Sequence, residues 1–221
     1  NPETAIHGGD GLGGIVLPDP VRPAETEDAG TALPRLIGAA FVGSVTLLCL
    51  GPLTNLARLI RDAPEAARRL GRVIAMGGTL EEPGNAGPGA EFNLAHDPEA
   101  AAEVLAAGLD LTLIPLDATR RLRADRAYVE RLQAVGTAAA TASADLIGAY
   151  FASRAERESR PLHDPCVPLF LARPDLFTVE TRALGVDPAT GALEPGPHEV
   201  RVATGLDAPA LRDELQRGLA C

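Results

Sequence analysis

Three short apolar runs, SVTLLCL (44–50), RVIAMGG (72–78) and LDLTLIPL (109–116), are separated by stretches whose apolar residues recur at helical spacing. That alternation constrains the fold more than any other feature of the chain. Short runs that are apolar at nearly every position read as strands buried on both faces, and such strands occur in parallel sheets whose crossovers are helices. LTNLARLIRDA (53–63) supplies one crossover and DPEAAAEVLAAG (97–108) another. In the second, Asp97 is placed to cap, Pro98 fits the first helical position, Glu99 favours the dipole and Gly108 ends the helix. Asp125 to Glu158 reads as helical, as two helices meeting near Gly136. HDPCVPLFLARP (163–174) repeats the Asp-Pro start, and LFTVETRALGV with HEVRVATGL reads as a final pair of strands. The expected fold class is α/β: a single domain with a mostly parallel sheet and helices on both faces, for which 221 residues suffice.

Ligands of such sheets bind beyond the carboxyl ends of the strands. That rule selects GPLTN (51–55), the glycine-rich stretch from Met76 to Asn93, and PLDATR (115–120). Locally, each polar residue there also has a structural explanation. Thr54 and Asn55 stand where a helix cap is needed. Asn85 lies in a glycine-flanked turn that favours left-handed backbone. Glu91 and Asn93 straddle Phe92 and, if extended, project together, a carboxylate and an amide suited to clamping vicinal hydroxyls. The tripeptide HDP occurs twice, at His96 and His163, and local rules do not distinguish the copy that caps a helix from one that does chemistry.

Composition narrows the chemistry. The formal net charge is −10 and all 20 basic residues are arginine, so a Walker-type phosphate loop, a Schiff-base enzyme and a lysine general base are excluded. An acidic chain without a clustered basic face argues against nucleic acid. Leu36 to Ala57 carries no charge, yet Gly43, Ser44 and Gly51-Pro52 break it, which argues against a membrane helix. Cys49, Cys166 and Cys221 are too few and too scattered for a disulfide framework or a CxxC metal site, and fit a reducing cytoplasm. HGGDGLGG (7–14) has the GxGxxG spacing of a dinucleotide loop at Gly9, Gly11 and Gly14, but only six residues precede it and IVLPDPVRP follows. No helix N-terminus can form there to hold a phosphate, so the glycines read as a tight turn.

Taken together, IHGGDGLGG, CLGPLTNLA, AMGG…GN…AEFNLAHDPEAA and LHDPCVPLFL resemble, in order and approximate spacing, the inosine-uridine preferring nucleoside hydrolases, from His7 to at least Phe170. The resemblance implies hydrolysis of the N-glycosidic bond of a small ribonucleoside, assisted by calcium. It implies a backbone carbonyl from Thr54 and a carboxylate from Asp164 for the ion. Asn85, Glu91 and Asn93 would hold the ribose hydroxyls, Met76 would line the sugar pocket and Phe92 would touch base or sugar. His163 would be the acid for the departing base, a role suited to a group titrating near neutrality, and His7 would sit near the base or the 5′ side. The family's DxDxGxDD cluster and first strand are absent, so the expectation is a nucleoside hydrolase-like domain over residues 1–221, first strand missing and incomplete at the N-terminus. A homo-oligomer is expected. The alternative is a catalytically inactive fragment or degenerate homologue that binds ribose or a nucleoside.

Overall fold

The structure, a computed structural model, describes residue 10, residues 12–152 and residues 158–221. Its elements follow in chain order. Ala29–Ala39 (α1) begins at Asp28, whose carboxylate accepts from the Thr31 N–H at 2.9 Å. Thr46–Cys49 (β1), Thr54–Asp62 (α2), Pro64–Ala67 (α3), Arg72–Met76 (β2), Phe92–His96 (α4), Pro98–Ala106 (α5), Leu111–Ile114 (β3) and Leu116–Thr119 (α6) come next. After them lie Arg123–Asp125 (β4), Arg126–Val135 (α7), Ala138–Ala152 (α8) and Ser159–Pro161 (β5). The chain continues through Cys166–Ala172 (α9), a 3-10 turn at Pro174–Leu176, Phe177–Val186 (β6), Leu193–Pro195 (β7), His198–Leu206 (β8) and Ala208–Leu219 (α10).

Two compact units are built from these segments. The larger, Glu25–Arg120 with His163–Leu206, holds a six-stranded sheet of order β1-β2-β3-β8-β6-β7. β1, β2, β3 and β8 run parallel, while β6 is antiparallel to both β8 and β7. The α/β, mostly parallel reading therefore holds. Alternate residues of the strands face opposite sides: Val73, Ala75, Leu111, Leu113, Val200 and Val202 form one core with Ile37, Leu56, Leu59, Ala100 and Val104 from the helices. Ile74 and Ile114, on the other face, are also fully buried, and α9 packs against β1 and β2. Each fully buried aliphatic side chain contributes about 1.5–3 kcal/mol, which is what turns the apolar runs into strands.

Thr112, in the middle of β3, is fully buried and its hydroxyl has no hydrogen-bond partner among the described residues. Thr112→Val, nearly isosteric, should therefore stabilise the protein by about 1 kcal/mol, read as a rise in Tm of a few degrees.

The smaller unit, among described residues, comprises 10–24, 121–162 and 207–221. α7 ends at Gly136, left-handed at φ +78°, and α8 starts two residues later, so the helical stretch divides where the sequence places the break. Tyr128 is fully buried and its hydroxyl donates to the Arg212 carbonyl at 3.2 Å. Phe151 is buried, with the Arg126 guanidinium 5.5 Å from its ring centre. Features that escape the sequence reading include α1, α4, the β4–β5 ladder, β7 and α10. β4, β5 and β7 have only three residues each, too few for a period. α10 carries the same Asp-cap and early-Pro signature as α5, with Asp207 accepting from Ala210 N–H at 3.1 Å.

Among described residues, no helix is long and apolar enough to cross a membrane.

Candidate active site

The site grows from the carboxyl end of β2. Met76 closes that strand, and the Asn93 side-chain amide donates to the Met76 carbonyl at 3.1 Å and lies 3.4 Å from its sulfur. Residues 77–91 leave the strand and return, and Glu91 becomes the N-cap of α4. Its carboxylate accepts from three backbone N–H groups: Gly78 at 3.1 Å, Asn93 at 2.9 Å and Leu94 at 3.3 Å. Asn85 anchors the same loop, its Oδ1 accepting from the Phe92 N–H at 2.8 Å. Met76, Asn85, Glu91 and Asn93 are thus bound into one hydrogen-bonded cluster with Phe92 at its edge, the Phe92 ring lying 4.4 Å from that of His96.

Two local readings change. Glu91 is extended, as the N-cap of α4, but Asn93 is not: it is helical, and the buried Glu91 carboxylate turns to the free amides of that helix start. Asn85 is not left-handed, since among described residues only glycines have positive φ, and it acts through its side chain instead.

The two HDP copies now separate. Asp97 caps α5 through the Ala100 N–H at 3.1 Å and also accepts from the Thr54 hydroxyl. That Thr54 bond is the largest cause holding the Asp97 carboxyl below its ordinary value. Thr54 is the first helical residue of α2 rather than its cap, which is Leu53 without a side-chain bond. In the second copy, α9 begins after Pro165, again without a side-chain cap, so Asp164 does not cap as Asp97 does. His163 Nδ1 lies 2.7 Å from the hydroxyl of Thr119. The Asp164 charge reaches Glu91: burial pushes the Glu91 carboxyl above its ordinary value, its three N–H donors pull it back in part, and Asp164 adds to the rise. Cys166, fully buried, has its thiol pushed up to about 12 by burial, which leaves it inert as a nucleophile.

PLDATR, at the end of β3, holds two residues whose part local rules do not reveal. Asp117 accepts from the N–H groups of Leu80 (2.8 Å), Glu81 (2.8 Å) and Glu82 (3.2 Å), tying down the loop that leads to Asn85. Burial opposes its ionisation, but those amides outweigh it and its carboxyl titrates below the ordinary value. Thr119, on the same four-residue helix, meets His163. The strand-end rule marks the segment but not these two side chains, whose partners are distant in sequence.

In the opening turn, Asp10 accepts from Leu12 and Gly14 N–H at 2.9 and 3.0 Å, so amides there bind the chain's own carboxylate, as a tight turn requires. His7, Gly9 and Gly11 lie outside the described residues. Among described residues no group of three or more His, Cys, Asp or Glu side chains is arranged to hold a metal ion.

Comparison with known proteins follows the same lines. The family model for inosine-uridine preferring nucleoside hydrolase matches residues 1–213. The chain is 38% identical over 186 residues to the pyrimidine-specific ribonucleoside hydrolase RihA of Enterobacter sp. (strain 638), covering 82% of this chain and 59% of that protein. It is 34% identical over 188 residues to RihA of Salmonella schwarzengrund, with the same coverage of 82% and 59%. The chain thus spans about three fifths of the length of these relatives. Its structure matches a purine-preferring ribonucleoside hydrolase from Gardnerella vaginalis with TM-score 0.88 and 28% identity, over 98% of this chain and 74% of that one. It matches an inosine-uridine preferring nucleoside hydrolase from Bacillus anthracis with TM-score 0.77 and 27% identity, over 90% of this chain and 67% of that one. On sequence and structure alike, the chain belongs to the inosine-uridine preferring nucleoside hydrolase family.

Proposed function

We propose that this chain, read as one hydrolase-like domain over residues 1–221, hydrolyses the N-glycosidic bond of ribonucleosides to ribose and free base. The observation that carries the reading is the cluster at the end of β2, where a buried carboxylate and a buried amide, Glu91 and Asn93, are held side by side with Asn85. Carboxylate and amide oxygens next to one another suit the vicinal hydroxyls of ribose. Bond cleavage passes through an oxocarbenium-like sugar, which anchoring of those hydroxyls and a nearby negative charge both favour. Met76 lines the sugar side, Phe92 lies toward base or sugar, and His163 is the acid that protonates the departing base. The relatives include both a pyrimidine-specific and a purine-preferring enzyme, so the reading covers ribonucleosides of either class.

The assisting ion in this reading is calcium, with the Thr54 carbonyl and the Asp164 carboxylate as ligands. Both are hard oxygen donors of the kind calcium takes, and they supply two of the roughly six to eight oxygens that the ion prefers. The working form is a homo-oligomer in the cytoplasm. Its three free cysteines suit a reducing compartment, and Phe41 and Val42, 88% and 69% exposed, are apolar surface for a second copy to cover.

Ribose release from inosine, uridine, cytidine and adenosine, with calcium and with chelator, tests the reading. Release above the uncatalysed rate is expected, with His163→Gln reducing kcat by about 10²–10⁴-fold. Loss of release on chelation and its return with calcium would support the ion, and release indifferent to chelator would remove it. If no substrate yields ribose while ribose itself binds, the chain is a ribose-binding module and not a hydrolase.

A further inference from the structure

Thr119 and His163 are 44 residues apart in sequence and both ends of their contact are anchored. On one side, Thr119 is fully buried and its N–H donates to the Pro115 carbonyl at 3.0 Å. Its helix α6 is pinned by neighbours on the same turn: Leu116 N–H donates to the Gly78 carbonyl at 3.0 Å, and Asp117 receives the N–H groups of Leu80, Glu81 and Glu82. On the other side, the His163 carbonyl accepts from the Cys166 N–H at 3.1 Å at the start of the buried helix α9. A 2.7 Å contact between two such fixed groups sets the plane of the imidazole. The fully buried hydroxyl of Thr112 offers a contrast, since it finds no partner among the described residues.

We propose that Thr119 is the positioning residue for His163: its hydroxyl oxygen accepts from Nδ1–H, fixes the ring, and leaves Nε2 as the nitrogen that hands its proton to the departing base. This rests on the hydrolase reading of the site. A hydroxyl suits the task because it accepts as readily as it donates, so it matches the imidazolium and the neutral Nδ1–H tautomer formed after transfer. In the step served, the C1′–N bond breaks with its electron pair going to the base. The Nε2 proton joins the base, the hydroxide of one water joins C1′, and the other proton of that water goes to solvent. A side chain without the hydroxyl lets the ring turn, and the proton no longer meets the leaving nitrogen.

The test compares Thr119→Val, which keeps the shape, with Thr119→Ser, which keeps the hydroxyl. Two riboside substrates are used: inosine, whose base needs a proton to leave, and p-nitrophenyl riboside, whose nitrophenolate leaves without one. Thr119→Val is expected to lower kcat on inosine about tenfold or more, part of the ~10²–10⁴ that general acid catalysis supplies. KM and turnover of the nitrophenyl riboside should stay within about twofold of the parent, and Thr119→Ser should restore most of the inosine rate. Equal loss on both substrates, or no loss on inosine, overturns the proposal. A second readout does not need turnover: the ring nitrogen signals of His163 in ¹⁵N-labelled protein, assigned with His163→Gln, should shift in Thr119→Val and not in Thr119→Ser. Unchanged signals overturn the contact. If the parent chain cleaves neither substrate, the hydrolase reading fails, and with it the catalytic half of this proposal. The ring signals then still decide whether Thr119 sets the ring.

Discussion

Glu91→Ala is expected to abolish the proposed ribose clamp and to destabilise the fold in one stroke. The Gly78, Asn93 and Leu94 N–H groups would lose their shared acceptor in a site where the carboxylate is only 2% exposed. A buried donor left without a partner costs about 1–3 kcal/mol, so a loss of about 3 kcal/mol or more is expected, a fall in Tm of roughly 6–12 °C by differential scanning calorimetry. Hydrogen bonds from hydroxyls to a charged acceptor are worth about 1.5–3 kcal/mol, so loss of the carboxylate should raise KM, or the Kd for ribose, about 10- to 100-fold. Unchanged ribose affinity would remove Glu91 from the sugar site and leave it as a cap. Glu91→Gln separates charge from shape. Burial raises the Glu91 carboxyl above its ordinary value of 4.5, so the folded chain holds that proton more tightly than the unfolded one. Its contribution is therefore fully present below 4.5 and is lost as pH rises through the raised folded value. The Tm difference between parent and Glu91→Gln should fall across that window as pH rises; a flat difference would show that Glu91 does not titrate with a raised value.

Gly191→Ala should be about as damaging to the fold, although Gly191 is not itself a candidate site residue. It lies in the turn between β6 and β7 at φ +78°, and a Cβ there would stand 2.6 Å from the backbone N and Cα of Ala95. Backbone cannot swing aside as a side-chain tip can. The left-handed conformation costs an alanine about 1–2 kcal/mol and the overlap about 1–3 kcal/mol more. Gly136 is the control: it has the same φ of +78° but open space around its Cβ position, so Gly136→Ala should cost only about 1–2 kcal/mol. Ala95 N–H donates to the Glu91 carbonyl at 2.8 Å, so pushing Ala95 displaces the helix that carries Asn93. Gly191→Ala should accordingly weaken ribose binding while Gly136→Ala does not; equal stability losses in the two variants would mean that the turn yields without moving α4.

Much of this architecture was legible before any coordinates. β1, β2 and β3 fall inside the three apolar runs, α5 begins at Asp97 and Pro98, and the helical stretch breaks at Gly136. Each of these signals acts within a few residues: a cap reaches its N3 amide, a glycine relieves its own φ, and an apolar run is buried wherever the chain folds. The candidate residues Thr54, Met76, Asn85, Glu91, Asn93, His163 and Asp164 came from four blocks of residues in order, a pattern longer than any single element. What those blocks did not contain was the manner of holding. Thr54 does not cap α2, its hydroxyl going to Asp97 instead, and Glu91 keeps its extended backbone while Asn93 joins a helix, with Gly78 adding an amide to the Glu91 carboxylate from across the loop.

The sequence by itself determined the α/β class, the positions of β1 to β3, α2 and α5, and the family resemblance, because burial period, capping and residue order are properties of neighbours along the chain. Tertiary structure alone shows what each HDP tripeptide holds: Asp97 caps α5 and accepts from the Thr54 hydroxyl, while His163 meets Thr119. A hydrogen bond across 44 residues leaves no trace in the spacing of either partner, since what selects it is the sheet order that sets β2 beside β3 and packs α9 against β2.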